Sequence, residues 1–202
     1  MLIIGLTGSI GMGKSETAKM FARHNVPVCD SDSVVHRLYD VGGAAVKAVS
    51  EVFPTSLVDG RIDRDRLSKL VIGKPEEIRK LELLVHPLVA QAQAQFLQDH
   101  AAQGASMVLL DIPLLLESTG PKRVDVVVVV SAPAELQRKR VLARPGMSAE
   151  KFESILAKQL PDELKRAQAD YVIDTSQGLV HAEAQVISVI EKLRDRKGLI
   201  WK

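Results

Sequence analysis

A disulfide cannot form within this chain, because its 202 residues include a single cysteine, Cys29. Cys29 ends an apolar run, so a buried strand end is the expectation for it rather than a reactive thiol. A reducing, cytoplasmic setting fits that usage. No apolar stretch reaches the ~18 residues a membrane-spanning helix needs; the longest β-like run is Val124 to Val130. The N-terminal MLIIGLTGSIGMGKS lacks a basic start and a long apolar core, so no signal peptide is expected. Lysine and arginine (27) barely exceed aspartate and glutamate (25), with no basic block, which argues against a nucleic-acid partner. No histidine–cysteine cluster suggests zinc. There is no internal repeat and no low-complexity linker, and nothing implies an obligate protein partner.

What remains is ordinary globular chemistry: 46% hydrophobic and 26% charged residues. The length suffices for one α/β domain carrying small inserted subdomains. Leu2 to Leu6 reads as a buried strand, Gly8 to Ser15 as a glycine-rich turn, and Lys14 to about His24 as a helix with Ala18, Phe21 and Ala22 on one face. Val26 to Cys29 is a second strand. Residues 33–50 look helical with a break near Gly42 and Gly43, and 60–103 mostly helical, with Asp63 a candidate cap, Pro75 a helix start and Pro87 a further start or kink. Strands follow at Met107–Asp111, Val124–Val130 and Tyr171–Ile173, with helices at 134–143, 148–169 (broken near Pro161) and 179–195. The unbroken valines suit a parallel strand covered on both faces. The order predicts an α/β fold: an open parallel sheet with helices on both faces, three layers α/β/α. The block between residues 33 and 103 is too long for a simple crossover and reads as an inserted helical subdomain that binds substrate. The tail GLIWK, with the only tryptophan, is expected to pack on the core.

Gly8-Ser9-Ile10-Gly11-Met12-Gly13-Lys14-Ser15 matches G-x-x-x-x-G-K-[ST], between a strand and a helix as the motif requires. Gly8, Gly11 and Gly13 let the backbone curl round a phosphate with its N–H groups inward, and the helix adds its positive end; Met12, between Gly11 and Gly13, is counted among the nucleotide-binding residues. Lys14 reaches the β- and γ-phosphates and Ser15 offers a hydroxyl to Mg²⁺. Glu16, next in line at the nucleotide, is expected to point to solvent or a basic neighbour. ATP and Mg²⁺ are the expected nucleotide and metal.

Asp30 and Asp32 follow the second strand, where carboxylates face the ligand crevice of a parallel sheet. One can accept the proton of an attacking hydroxyl and the other can bind Mg²⁺ through water; alternatively one caps the helix beginning near Ser33. Asp111 ends the strand VLLD and is expected to hold Mg²⁺ indirectly, the alternative being a turn or structural carboxylate. Beyond it runs P-L-L-L-E, residues 113–117, whose leucines are core or an apolar substrate wall. His86, before Pro87, is by local reading more often structural than a ligand. Arg140 and Arg144, four apart, share a helix face that ends at Pro145-Gly146, which suits a hinge into a lid over residues 144–169. Arg138 and Lys139 point elsewhere.

The phosphate loop, D-S-D, H-P, D-I-P-L-L-L-E, Q-x-x-R and the late A-D-Y-V-I-D together resemble the dephospho-CoA kinase family from residue 3 to about 175. The resemblance implies transfer of a phosphoryl group from ATP to the ribose 3′-hydroxyl of dephospho-CoA, in the cytoplasm. It makes Asp32 the general base, with Asp30 beside it orienting the hydroxyl or water around Mg²⁺. Lys14 and Arg140 then stabilise the transferring group, and Arg144 closes onto ATP from the lid. The acceptor lies against the insert, bringing in His86, with Leu115 and Glu117. The implied layout is a core of 1–32, 104–143 and 170–202, an acceptor-binding insert of 33–103 and a lid of 144–169. Three positions depart from the family pattern. Its T-G-G reads Thr7-Gly8-Ser9, its threonine after the loop serine is Glu16, and its asparagine after the late aspartate, here Asp174, is Thr175. The last removes any adenine contact made by an asparagine side chain there.

Competing readings are a nucleoside or nucleotide monophosphate kinase of similar fold, a GTP-dependent switch or regulatory nucleotide-binding module, and an interaction domain with a dead site. The absence of N-K-x-D weighs against the switch, and the intact Lys14, Asp32, Asp111 and Arg140 against the dead site.

Overall fold

A computed structural model describes residues 1–117 and 123–201. Its main sheet has five strands in the order β2-β5-β1-β6-β7: β2 Val28–Asp30, β5 Met107–Asp111, β1 Leu2–Thr7, β6 Val126–Ser131 and β7 Tyr171–Asp174. β1 pairs in parallel with β5 and β6, and β6 with β7. Every residue of β1, β5 and β6 is buried, which explains their continuous apolar runs. On one face, Leu2, Ile4, Leu6, Leu109 and Val128 pack with Phe21 of α1 (Lys14–Arg23) and with Val186 and Val189 of α9 (Leu179–Leu193). Helix α6 (Ala134–Leu142), α7 (Ala149–Leu156) and α8 (Asp162–Ala167) complete the three-layer arrangement. Leu199 and Ile200 donate backbone N–H groups to Asp125 Oδ1 at 2.7 and 3.0 Å, which ties the tail to the core.

Contacts divide the chain into two compact units, Met1–Cys29 with His100–Lys202, and Asp30–Asp99. Residues 144–169 fall within the first. The second unit holds α2 (Ser31–Tyr39), α3 (Val46–Val52), a short 3₁₀ turn at Pro54–Ser56, α4 (Arg64–Val71) and most of α5 (Pro75–Ala102). Its own core gathers Tyr39, Val49, Phe53, Ile62, Leu67 and Val85. Asp63 caps α4, accepting from the Arg66 N–H at 2.8 Å.

Two local features differ from expectation. Residues 57–62 form a hairpin, β3 (Leu57–Val58) against β4 (Arg61–Ile62), where helix was expected from residue 60 onward. Asp59 and Gly60, both at positive φ (49° and 78°), make the two-residue turn, and Asp-Gly is the strongest short-range hairpin signal. Pro87 starts no further helix but lies inside one continuous helix, α5. Its missing N–H frees only the Leu83 carbonyl, and Leu83 is exposed, so solvent can serve that group. Among the described residues no helix is long and apolar enough to cross a membrane.

Candidate active site

In the first unit, β1 ends at Thr7 and α1 begins at Lys14, so Gly8–Gly13 form the connecting loop at the carboxyl end of the sheet. Gly11 and Gly13 have φ of +80° and +99°, a region that other residues enter at a cost. A Cβ at Gly11 would collide with Val141, and one at Gly13 would come 3.2 Å from the Thr175 methyl. Gly13 caps α1 without any side-chain hydrogen bond, leaving the first-turn N–H groups available to an anion. The residues therefore fit a polyphosphate.

The loop is held from behind. The Ile10 N–H donates to Gln159 Oε1 (3.1 Å), and Gln137 Nε2 donates to the Ile10 carbonyl (2.8 Å). The Met12 carbonyl accepts from the Thr175 hydroxyl at 2.7 Å, while the Met12 side chain is buried in the core. The Met12 carbonyl thus braces the loop against Thr175. Lys14 Nζ lies 2.5 Å from Asp111 Oδ1, with Asp111 3% exposed at the end of β5. Ser15 and Glu16 are exposed, and Glu16 pairs with Lys19 at 2.7 Å. Among the described residues no group of three or more His, Cys, Asp or Glu forms a protein cage for a metal. A hydroxyl such as that of Ser15 with one carboxylate such as Asp111 suits Mg²⁺, which keeps waters and substrate phosphates in its shell.

Arg140 is fastened to a single residue. Its Nη1 donates to Thr175 Oγ1 (2.9 Å) and its Nη2 to the Thr175 carbonyl (2.7 Å). Thr175 is buried and tied to β6 through its N–H to the Ser131 carbonyl at 3.0 Å. One threonine hydroxyl thus accepts from the arginine and donates to the phosphate loop. The sequence flags Thr175 only as a departure from a family pattern; its neighbour across the fold, Arg140, carried no local sign of it. Gln137 stands three residues before Arg140 on α6, a helical spacing that hints at a shared task, whereas Gln159 carries no such signal. Arg144 is exposed and lies past the end of α6 at Leu142, so the two arginines do not share a helix face as expected. A cavity of about 290 Å³ opens here, lined by Gly11, Gly13, Arg140, Arg144, Thr175 and Leu179, with Glu16 on its rim.

Leu115 and Glu117 do not present themselves to a ligand as expected. Leu115 is fully buried and packs over Gly5, where a Cβ would come 2.7 Å from its Cδ2. Of the three leucines it is core, while Leu114 is 45% exposed. Glu117 Oε1 accepts from the Leu160 N–H at 2.8 Å and lies 2.7 Å from Nζ of Lys165, which has no exposed surface. A carboxylate spent on neutralising a buried ammonium is structural, since an unpaired charge there would be costly.

In the second unit, Asp30 and Asp32 divide their labour. Asp30 caps α2: Oδ1 accepts from the Asp32 N–H (2.9 Å) and the Ser33 N–H (3.4 Å), and Oδ2 from the Ser33 hydroxyl (2.7 Å). Asp32, in the first turn of α2, is exposed. The carboxylate pair is therefore one helix cap and one outward-facing acid. His86 is exposed on α5.

A parallel sheet with G-x-x-x-x-G-K-S between β1 and α1, a carboxylate closing β5 against the loop lysine, and an arginine held by the Thr175 that also bonds the loop define a P-loop phosphotransferase. The "Dephospho-CoA kinase" family model matches residues 2–181, and the chain belongs to that family. A dephospho-CoA kinase from Mesorhizobium japonicum is 54% identical over 98% of this chain and 100% of its own length. A crystal structure of a Thermus thermophilus protein superposes with a TM-score of 0.82 at 32% identity, covering 98% of both chains. A dephospho-CoA kinase from Campylobacter jejuni shares the fold at 22% identity and a TM-score of 0.65, over 95% of this chain and 96% of its own.

Proposed function

We infer that this chain transfers the γ-phosphoryl group of ATP to the ribose 3′-hydroxyl of dephospho-CoA, giving CoA and ADP, the final step of coenzyme A synthesis. The observation that carries this reading is the family match over residues 2–181, joined to a Lys14 held by Asp111 and an Arg140 held by Thr175.

In the reaction the acceptor oxygen forms a bond to the γ-phosphorus as the bond to the β–γ bridging oxygen breaks, and ADP leaves. Asp32 takes the hydroxyl proton; its exposure on α2 leaves it free to do so, while Asp30 fixes the turn that presents it. Lys14 exchanges Asp111 for the phosphates. Arg140 places its charge on the transferring oxygens, where preorganised cations are worth most. Ser15 and Asp111 would hold Mg²⁺, which would offset phosphate charge during transfer. The 290 Å³ cavity beside Gly13 takes the nucleoside of ATP, with Arg144 on its wall. Residues 144–169 act as the lid and the insert takes the acceptor, His86 included. A cytoplasmic location accords with the reaction and with the burial of the single cysteine, Cys29.

The test is ADP formation from Mg-ATP with dephospho-CoA, adenosine, AMP and pantetheine phosphate offered separately, with products identified by mass. Turnover confined to dephospho-CoA is the expected result. Turnover confined to AMP or adenosine would make the protein a nucleotide or nucleoside kinase instead.

A further inference from the structure

The phosphate loop makes a reverse turn before it reaches α1. The Met12 N–H donates to the Ser9 carbonyl at 3.2 Å, so Ser9, Ile10, Gly11 and Met12 form the turn. Gly11 is its third residue, at φ +80°. A positive φ there is the type II requirement, and type II differs from type I chiefly by reversal of the central peptide, here the one between Ile10 and Gly11. Glycine enters either form at little cost, so the turn by itself does not hold that peptide in one orientation. A reversal would matter. The peptide's carbonyl belongs to Ile10 and its N–H to Gly11, and the two point in opposite directions.

Two side chains settle the orientation. Gln137 Nε2 donates to the Ile10 carbonyl at 2.8 Å, which fixes the central peptide. The Ile10 N–H donates to Gln159 Oε1 at 3.1 Å, which fixes the preceding peptide, whose Ser9 carbonyl closes the turn. The Gly11 N–H is thereby aimed away from Gln137, and it has no acceptor within the chain among the described residues. Backbone N–H groups set free in this way are what an anion cradle is built from.

The supports are themselves anchored. Gln137 is buried on α6, the helix that carries Arg140. Gln159 lies between α7 and α8. Its neighbour Leu160 donates its N–H to Glu117 Oε1 at 2.8 Å, and Asp162 Oδ2, at the start of α8, accepts from the Ser131 hydroxyl of β6 at 2.6 Å. The two amides also act with opposite polarity. A carbonyl can only accept and an N–H can only donate, so Gln137 must give a hydrogen to Ile10 and Gln159 must receive one.

We propose that Gln137 and Gln159 are positioning residues for the nucleotide: by gripping both backbone polar groups of Ile10 they keep the phosphate loop in its binding conformation, with the Gly11 N–H aimed before a polyphosphate arrives. The proposal rests on the loop taking the nucleotide's phosphates and not on the identity of the acceptor.

The experiment is calorimetric titration of Mg-ADP into wild type, Gln159→Ala, Gln159→Glu and Gln137→Glu, with a thermal melt of each. No acceptor is present, so the result is separate from the acceptor reading. Gln159→Ala should raise the Kd for Mg-ADP roughly 3- to 10-fold, the range of one neutral hydrogen bond. Its Tm should stay within about 4 °C of wild type. Glutamate tells the two positions apart. At 159 it still offers an oxygen to the Ile10 N–H, and the Kd should stay within about threefold of wild type. At 137 a carboxylate has no hydrogen to give and faces the Ile10 carbonyl, so the Kd should rise by about tenfold or more. An unchanged Kd in a folded Gln159→Ala overturns the proposal. Equal losses in the two glutamate variants overturn it as well, because polarity would then not be what counts. Should Gln159→Ala not fold, the two glutamate variants carry the comparison; should Gln137→Glu not fold, the two variants at 159 carry it. If wild type binds no Mg-ADP, the loop does not take the nucleotide and the proposal falls with that reading.

Discussion

The two units hold their charged side chains in opposite ways. In the first, Lys14 rests on Asp111 and Arg140 is gripped by both oxygens of Thr175, each support coming from a residue at or next to a strand end. In the second, Asp32 is exposed. A nucleotide site common to every turnover gains from donors fixed in advance, which cost no reorganisation when charge develops. The arginines that line a cavity of the insert, Arg37, Arg61 and Arg64, are instead left without a carboxylate partner among the described residues, although Lys80 there pairs with Glu77 at 2.9 Å. The contrast implies that function and stability should come apart in the insert and stay joined in the core.

The largest effect should follow Asp32→Asn. Removing a general base lowers kcat roughly 10²- to 10⁴-fold, while an exposed side chain contributes little to stability, so chemical denaturation should be unchanged within about 0.5 kcal/mol. A matching loss of stability would erase the contrast. Next is Lys165→Ala, which strands Glu117 without its partner and should cost about 3–5 kcal/mol in the same denaturation measurement. Replacing both partners with apolar residues, Lys165→Met with Glu117→Leu, should restore most of it.

Thr175→Val tests whether Arg140 depends on its support. The variant keeps the shape and loses the hydroxyl, so kcat should drop about tenfold, in line with a hydrogen bond to a charged group. Thr175→Ser should recover it, and in an Arg140→Ala background the valine substitution should add nothing. An additive loss would mean that Thr175 acts through the loop alone. Asp174 offers a smaller effect with a definite sign. The Ser176 N–H, 2.8 Å from its Oδ1, holds its carboxyl below the ordinary range. Its stabilisation is thus present above the unfolded pKa of about 3.9 and lost as pH falls through the lowered folded value. The stability gap between wild type and Asp174→Asn should close in acid and be open at neutral pH. Glu16→Ala, which removes an exposed pair with Lys19, should change stability by less than about 1 kcal/mol.

The phosphate loop was legible because its chemistry is local: glycines at the positions that need positive φ, then Lys14 and Ser15, between an apolar run and a helix. The strands were legible because sheet residues buried on both faces must be apolar throughout, as Val126–Val130 are. The hairpin at Asp59-Gly60 was legible in principle and hidden by the helical character of α4 and α5 just beyond it. Leu115 was ambiguous for a physical reason: a core leucine and a substrate wall have the same composition, and only the close approach to Gly5 separates them. Likewise the D-S-D run leaves open which carboxylate caps and which acts until the hydrogen bonds assign the cap to Asp30.

By itself, then, the sequence determined the fold class, the loop that takes the phosphates and the family, since each rests on residues adjacent in the chain or repeated at a fixed period. The tertiary structure alone decided the partners: that Thr175 carries Arg140, that two glutamines hold Ile10, that Glu117 neutralises Lys165, and that Arg64 meets His36 across 28 residues. Each is a contact between side chains on different elements, and the period of a helix or strand says which face a side chain takes but not what it will find there.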